Sequence, residues 1–595
     1  MPARASERLW PAVATAWALA ALLTSLVHWR LIVSGGFHDP DDAMRLLEVR
    51  DWLAGQSWWD VSQHRLNGGQ FAMHWSRLVD LPLAAVILVV TPLVGPVAAS
   101  TIASVVVPLA TLGIAVALIT ALTRAVAGHE VACTATLIVP ITAPLIAQLQ
   151  PMRIDHHGWQ IVAALGATLA LVRAATARSG AAAGLCLALL VTVSFEGFPF
   201  AAALVAVAGA AWAFTPARAP QLRALGWSYA GGAVVLHVLT RGPGALAAAC
   251  DAMAPAWLIA LLVAATGLHA TTLAGGRPLA WRLGLLAGVG AVTAAVIVVL
   301  ARGCLAGPFA TLDPLSYRLW FENIHEGLPI WRQSLPTVAT AAGLPLLGLL
   351  GTARAWARAE GDERERWAIL LALLTLATLL GAAVLRAGGT ANALAVPGAA
   401  TLVTAALVGA RARAHPVGRL LATAGALALA APGSLLLVTS LLVAPAAARA
   451  LDDPAGLACQ SEDEVGALAA LPRARLFAPL DLSPEILART RHQAIASGYH
   501  RNPRAIHLVL AAFTGSPEQA RRVIRATGAA YVVGCPGLGE TALYRRYAPN
   551  GFWARLARGE RFGWLRPVPI ADSPIRVWQV IDPVSRPLST EPSRP

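Results

Sequence analysis

LPLAAVILVVTPLVG, residues 81–95, is apolar along its whole length, yet it contains Pro82 and Pro92 and ends on Gly95 with Pro96 behind it. A helix that crosses hydrocarbon needs about 20 apolar residues, so this short, proline-broken stretch reads as a re-entrant or interfacial helix. Its reading fixes the parity of everything downstream. Counted as a full span, it would carry each later arginine-rich loop to the opposite face.

Outward from it the chain is apolar nearly everywhere up to Pro445. With 57% hydrophobic and 13% charged residues and a mean hydropathy of +0.61 over 595 residues, it is not a soluble enzyme. Candidate spans fall near 10–33, 97–122, 131–149, 159–173, 179–195, 198–214, 225–240, 252–273, 283–301, 335–351, 367–385, 392–410 and 420–444, about 13 in all. The first is too long for a signal peptide and lacks a small-residue cleavage site, so it is expected to stay as an anchor. All the basic residues are arginine, as codon bias in a GC-rich genome gives, and the net charge of +14 therefore does not call for a nucleic-acid partner.

Placement of the arginines says more than their number. With a cytoplasmic N-terminus, the cytoplasmic loops carry Arg4 and Arg8, Arg124, Arg173 and Arg178, Arg218 and Arg223, Arg277 and Arg282, the run from Arg354 to Arg366, and Arg411, Arg413 and Arg419. The positive-inside rule is met at each turn. The expected architecture is an α-helical polytopic membrane domain over residues 1–446, followed by a small extracytoplasmic α/β domain over 447–595. In that tail helices are expected near 484–491 and 517–526, and strands near 530–533 and 575–581. Cys459 and Cys535 both lie there and are candidates for a disulfide. Cys133, Cys186, Cys250 and Cys304 lie in or beside spans, where a thiol serves as a small apolar side chain.

The same topology puts two acidic clusters on the extracytoplasmic side: Asp39-Pro40-Asp41-Asp42, with Glu48 further along its helix, and Arg153-Ile154-Asp155-His156-His157. Carboxylates beside lipid are costly unless they face water, a cation or a partner. Asp39 before Pro40 is also a good helix start, and Asp155 could equally be an N-cap. Glu196, in SFEGFPF, either faces water at a helix end or lines a groove. Trp58, Trp59 and Trp75 read as membrane anchors.

These residues carry a resemblance. Asp42-Ala43-Met44-Arg45-Leu46-Leu47-Glu48 resembles the first-loop motif of the GT-C superfamily of polyprenyl-phosphate-dependent glycosyltransferases, above all the bacterial single-subunit oligosaccharyltransferase. Asp155-His156-His157 falls where that family has its second acidic motif, here with His157 in place of the last acid. Asn323-Ile324-His325-Glu326 resembles the external-loop motif whose Glu approaches metal and acceptor. Arg386, in LRAGGTANALAVPGAA, sits where the family contacts the lipid-linked phosphate. The tail departs from the pattern: Ala478-Pro479-Leu480-Asp481-Leu482 stands where the family carries the tryptophans that read an Asn-linked sequon.

The resemblance implies a multi-pass inner-membrane enzyme of a bacterium, acting on the periplasmic face. It would move a sugar or oligosaccharide from a polyprenyl-(pyro)phosphate donor to a glycan, lipid or protein acceptor. Asp42, Asp155 and Glu326 are the expected catalytic residues, Asp42, Asp155 and His157 the ligands of Mn²⁺ or Mg²⁺, and Arg386 the phosphate contact. Asp39, Asp41, Glu48, Arg153, His156, Glu196, His500 and Arg501 are expected in support. The chemistry agrees, because a departing phosphate needs its charge neutralised. Two rivals remain: a single-sugar transferase acting on lipid A or polysaccharide, and a transporter of a lipid-linked glycan, although no internal repeat marks the latter.

Overall fold

The computed structural model describes residues 9–69, 71–430, 459, 462–571 and 573–581. Arg4, Arg8, the second half of the span expected at 420–444 and the expected boundary at 446 lie outside the described residues. The chain divides into two compact units: one takes in residues 9–29, His74–Pro308 and 325–430, the other Arg30–Met73, Phe309–Ile324 and the tail.

The first unit is all helical. Eight helical stretches among the described residues are long and apolar enough to span a membrane: Trp10–Val27, Asp80–Ile141, Phe195–Phe214, Pro255–Thr272, Leu279–Leu300, Leu335–Arg358, Gly361–Ala383 and Leu385–Arg411. His157–Val172 and Ala177–Val193 are apolar but shorter. The long run from Asp80 is broken at Gly95 and Gly128, whose φ angles of 80° and 83° suit residues without a Cβ. Residues 81–95 are thus helical and stop at the glycine that closes the stretch. Without water to drive them together, membrane helices associate through small residues and close backbones. Helices Leu335–Arg358 and Gly388–Arg411 show this: a Cβ on Gly351 would lie 2.0 Å from the Gly398 carbonyl oxygen, and one on Gly398 2.2 Å from that of Gly348.

One pair of cysteines departs from its sequence reading. Cys250 and Cys304 are not apolar filler but a disulfide, with Cα atoms 5.1 Å apart. The reason is topological. Cys250 precedes Pro255–Thr272 and Cys304 follows Leu279–Leu300, so this helical hairpin returns the second cysteine to the end where the first began. Cys133 and Cys186 are in neither disulfide.

The second unit holds seven strands among the described residues. β1 (Ser62–Gln63) and β2 (Phe71–Ala72) form a short antiparallel ribbon. β3 (Arg475–Phe477), β4 (Gln493–Ala494), β5 (Tyr531–Gly534), β6 (Leu565–Val568) and β7 (Arg576–Val580) form a mixed sheet in the order β4-β3-β5-β7-β6. The β3 pairings are parallel, with Leu476 opposite Tyr531, and β7 runs antiparallel to both neighbours, with Val532 opposite Trp578. Helices Ser483–Arg489, Pro503–Thr514 and Pro517–Thr527 cover it, and Phe477, Phe513, Tyr544, Phe552 and Trp553 fill the core. The expected disulfide Cys459–Cys535 is present.

Candidate active site and metal centre

In the first unit the RIDHH motif leads into helix His157–Val172. Met152 takes a left-handed φ of 67° and its N–H donates to the Ser104 carbonyl at 2.9 Å, which turns the chain so that Arg153, Asp155, His156 and His157 are all buried. Asp155 accepts from its neighbour's backbone N–H (2.5 Å) and pairs with the His156 ring through Nδ1, while His157 Nε2 lies 3.2 Å from its second oxygen. The other nitrogen of His157 faces Gln160 Oε1 at 2.9 Å; with Nδ1 donating there, the Nε2 lone pair is turned toward the carboxylate. Burial pushes the Asp155 carboxyl up, but His156, His157 and Arg153 outweigh it and hold it well below the usual range. Burial drives the His156 imidazole down against the pull of Asp155.

One carboxylate and two imidazoles thus offer ligand atoms within 4.8 Å of one another. That donor set fits a divalent first-row cation, with imidazole favouring Mn²⁺ or a softer ion over Mg²⁺. His156, expected only in support, stands in the group on equal terms with His157. Trp75, expected as a membrane anchor, is instead buried, its ring 6.4 Å from that of His156.

Three other elements bring charge to the same place. Glu326 lies in the turn His325–Gly327, Arg386 in the turn Leu385–Ala387, and Glu196 in the turn Phe195–Gly197. The first two turns are tied, because the Leu385 N–H donates to the Leu328 carbonyl at 3.2 Å. After Arg386 the glycines let helix Gly388–Arg411 lie against His157–Val172: a Cβ on Gly389 would be 2.9 Å from the Ile161 side chain. The result is a chain of ion pairs. Arg386 Nη2 contacts Glu196 Oε1, its Nη1 lies 3.5 Å from Glu326 Oε1, and Arg153 lies 3.5 Å from Glu326 Oε2 and 3.8 Å from Asp155 Oδ2. Of the expected site residues, Arg153, Asp155, His156, His157, Glu196, Glu326 and Arg386 are therefore brought together within this unit.

The remaining expected residues belong to the second unit. Asp39 caps helix Pro40–Leu53, its carboxylate accepting from the Asp41 N–H at 2.9 Å. Asp42 and Glu48 are buried on that helix, which the tail holds: Arg50 donates to the Ala488 carbonyl (3.1 Å) and Arg489 to that of Gly35 (2.6 Å). Arg501 donates to the carbonyl of Ala72 at 3.2 Å, and the His500 ring lies 5.1 Å from that of Phe309. Tyr499, which precedes them, is buried, and burial together with Asp41, Glu48 and Asp39 pushes its phenol well up.

Two arrangements escaped the sequence reading. The Glu196–Arg386 pair joins residues 190 apart, and only the shared topology of their loops pointed to it. Arg218 makes a two-point contact with Glu365 at 2.7 and 2.8 Å and also donates to the Leu171 carbonyl, while Arg366 donates to that of Ala125 at 2.9 Å. These link four of the loops whose arginines set the expected topology.

No family profile and no curated protein sequence matches the chain. Among solved structures, the archaeal oligosaccharyltransferase AglB of Archaeoglobus fulgidus, in complex with an inhibitory peptide and a dolichol-phosphate, superposes with a TM-score of 0.68 at 16% identity, covering 93% of this chain and 72% of that one. This chain has an oligosaccharyltransferase-like fold. The A. fulgidus enzyme tethered to an acceptor peptide with the NVT sequon gives 0.63 at 15% identity, covering 94% and 73%. Its complex with Zn and sulfate gives 0.62 at 14%, covering 92% and 71%. The fold implied by the GT-C resemblance is met.

Proposed function

We propose that the protein is a membrane glycosyltransferase that moves a sugar or oligosaccharide from a polyprenyl-phosphate-type carrier to an acceptor. The observation that carries this is the grouping of Asp155, His156 and His157 with Arg153, Glu326 and Arg386 at one end of a helical unit, in a fold shared with an enzyme whose structure holds a dolichol-phosphate. Asp155, His156 and His157 would hold a divalent cation, which when bound supplies Lewis-acid neutralisation of a departing phosphate. Arg386 and Arg153 offer fixed guanidiniums to the same charge. Glu326 is the candidate to take the proton of an acceptor hydroxyl. Asp42, expected from its motif as a further ligand or base, is the variant to test beside Asp155.

The extracytoplasmic side is proposed for this end. A disulfide at Cys250–Cys304 needs an oxidising compartment, and the arginine-rich loops linked by Arg218 and Arg366 suit a cytoplasmic face. A bacterial inner membrane with a periplasmic tail is the setting that combines both.

For the acceptor, the tail favours a hydroxyl on a lipid or glycan over a sequon. Ala478, Leu480 and Leu482 are core residues, and the N–H groups of Leu480 and Asp481 donate to the Glu540 carboxylate at 2.9 and 2.8 Å, so this stretch fills the domain instead of offering aromatic rings to a peptide. The test is transfer by the purified full chain from a polyprenyl-phosphate sugar. Modification of a lipid or polysaccharide hydroxyl, with an Asn-x-Thr peptide left unmodified, supports the reading. Glycosylation of that peptide would replace it by Asn-linked transfer, and no transfer from any lipid-linked donor would sink it.

A further inference from the structure

The ion-pair chain contains more negative than positive side chains: Arg153 and Arg386 face three carboxylates, those of Asp155, Glu196 and Glu326. These carboxylates are not equally held. Glu196 sits in the turn that enters helix Phe198–Phe214, and its neighbour Phe195 is wedged between Phe198 and Trp257, with ring centroids 5.0 and 4.7 Å away. Gly197 is pinned as well, since a Cβ there would meet the Leu190 side chain at 2.6 Å. Glu326 instead bridges both guanidiniums at 3.5 Å, longer than the Glu196–Arg386 contact; the two side chains are comparably exposed, at 33% and 42%, so the difference lies in the contacts and in the packing of the turns.

An anion that enters between Arg153 and Arg386 can therefore exchange with Glu326, whereas Glu196 stays on Arg386. One carboxylate leaves, and one negative charge is admitted. A phosphodiester that joins a lipid to a sugar carries one charge at neutral pH. The corresponding diphosphate carries two, and its second charge would have to lie beside Glu196 or Asp155, where like charges repel at short range.

We infer that Glu196 is a specificity-determining residue that restricts the carrier to a polyprenyl monophosphate and rejects the diphosphate. This rests on the lipid-carrier reading above and narrows it. Glu196 acts as the standing counter-ion of Arg386, so half of that guanidinium's capacity is spent before the donor arrives. A cation held at the Asp155 group would offset the repulsion from Asp155 and leave that from Glu196 at Arg386, so a preference persists with a cation bound.

The test is equilibrium binding to the full chain in nanodiscs, with a polyprenyl-monophosphate sugar and the polyprenyl-diphosphate derivative of the same sugar and chain length as probes, with and without Mn²⁺. The wild-type protein is expected to bind the monophosphate at least about tenfold tighter, a difference of about 1.4 kcal/mol, in both conditions. Glu196→Gln is expected to cut that preference to about threefold or less by tightening the diphosphate. Glu326→Gln, which removes the exchangeable carboxylate, should tighten the monophosphate and leave the preference in place. Equal or tighter binding of the diphosphate by the wild type overturns the inference, as does an unchanged ratio in folded Glu196→Gln. Should that variant fail to fold, the wild-type ratio and Glu326→Gln still decide. Binding of neither lipid would instead overturn the lipid-carrier reading itself.

Discussion

The two ends of the helical unit use the same pair of side chains in opposite ways. At one end Arg218 is buried and meets Glu365 through two parallel contacts at 2.7 and 2.8 Å, with Gln221 and the Leu171 carbonyl completing its partners. At the other, Arg386 and Arg153 share carboxylates, and their contacts to Glu326 and Asp155 stretch to 3.5 and 3.8 Å beside a cluster of Asp and His. A guanidinium with its own bidentate carboxylate is a fastener, and its loss costs stability. Guanidiniums that share long contacts at a partly exposed turn can trade partners. The first arrangement holds loops together, and the second leaves charge available for a ligand.

Asp155→Asn should produce the largest effect and would break the comparison if it did not. Removing this carboxylate takes away the anionic member of the metal group, and transfer from a polyprenyl-phosphate sugar should fall by at least about a hundredfold. Bound Mn²⁺, measured by metal analysis of the purified protein, should fall with it, while the thermal midpoint stays near the wild-type value. Full activity and full metal content in this variant would leave Asp155 a merely structural partner of the His156 N–H and ring.

The converse is expected at the other end. Arg218→Ala strands the Glu365 carboxylate that it meets through two contacts, so unfolding should become easier by about 2–4 kcal/mol. Turnover per folded molecule should not change. If Arg218→Ala lowers turnover at unaltered stability, the division between fastener and exchangeable site fails.

A smaller effect is expected at Cys250–Cys304. In water, closing a loop between residues 54 apart is worth about 4 kcal/mol. A hairpin already inserted in a membrane is partly closed, so Cys250→Ser should lower the thermal midpoint by only a few °C. Peptide mapping without reductant should recover the Cys250–Cys304 and Cys459–Cys535 cross-links, with Cys133 and Cys186 alkylated. Recovery of all six cysteines alkylated from protein made by an intact secretion pathway would contradict the sidedness proposed for the site.

These regions were not equally legible in the sequence. Periodicity and hydropathy located most helices to within a few residues, and the tail elements expected near 484–491, 517–526, 530–533 and 575–581 appear as Ser483–Arg489, Pro517–Thr527, Tyr531–Gly534 and Arg576–Val580. Strands β1 to β4 were not foreseen, because two or three residues are too few to show alternation, nor was β6, whose Leu-Arg-Pro-Val carries a proline. Asp155 and His157 stood out by motif. His156 did not rank with them, because only the fold of the buried turn decides which ring of an adjacent pair faces the carboxylate. Glu196 carried no motif at all: its meaning lies in Arg386, and such a long-range pair leaves no mark on local sequence. Cys250 and Cys304 were misread for the same reason, since their partnership depends on the hairpin between them.

The last expectation concerns the tail, where a third kind of charged pair sharpens the contrast with the two ends of the helical unit. Asp481 and Glu540 are two acids with no guanidinium between them. Glu540 is engaged by the N–H groups of Leu480 and Asp481 and by the Tyr544 hydroxyl. Burial pushes Asp481 well up, helped by Glu540 and Asp39, and burial also raises Glu540 against those three donors. A carboxyl raised on folding binds a proton in the folded state that the unfolded chain has already released, so stability is full at acid pH and falls as the pH climbs from the ordinary carboxylate range through the raised value. Hydrogen exchange in Tyr531–Gly534, corrected for its intrinsic pH dependence, should therefore speed up toward alkaline pH. Asp481→Asn keeps the size and removes the titration: it should flatten that dependence and raise the thermal midpoint at pH 8 by about 2–4 °C. Lower protection at every pH in this variant would mean that Asp481 serves as a charged acceptor, and the tail would then hold its acids as the helical unit does, through cationic partners.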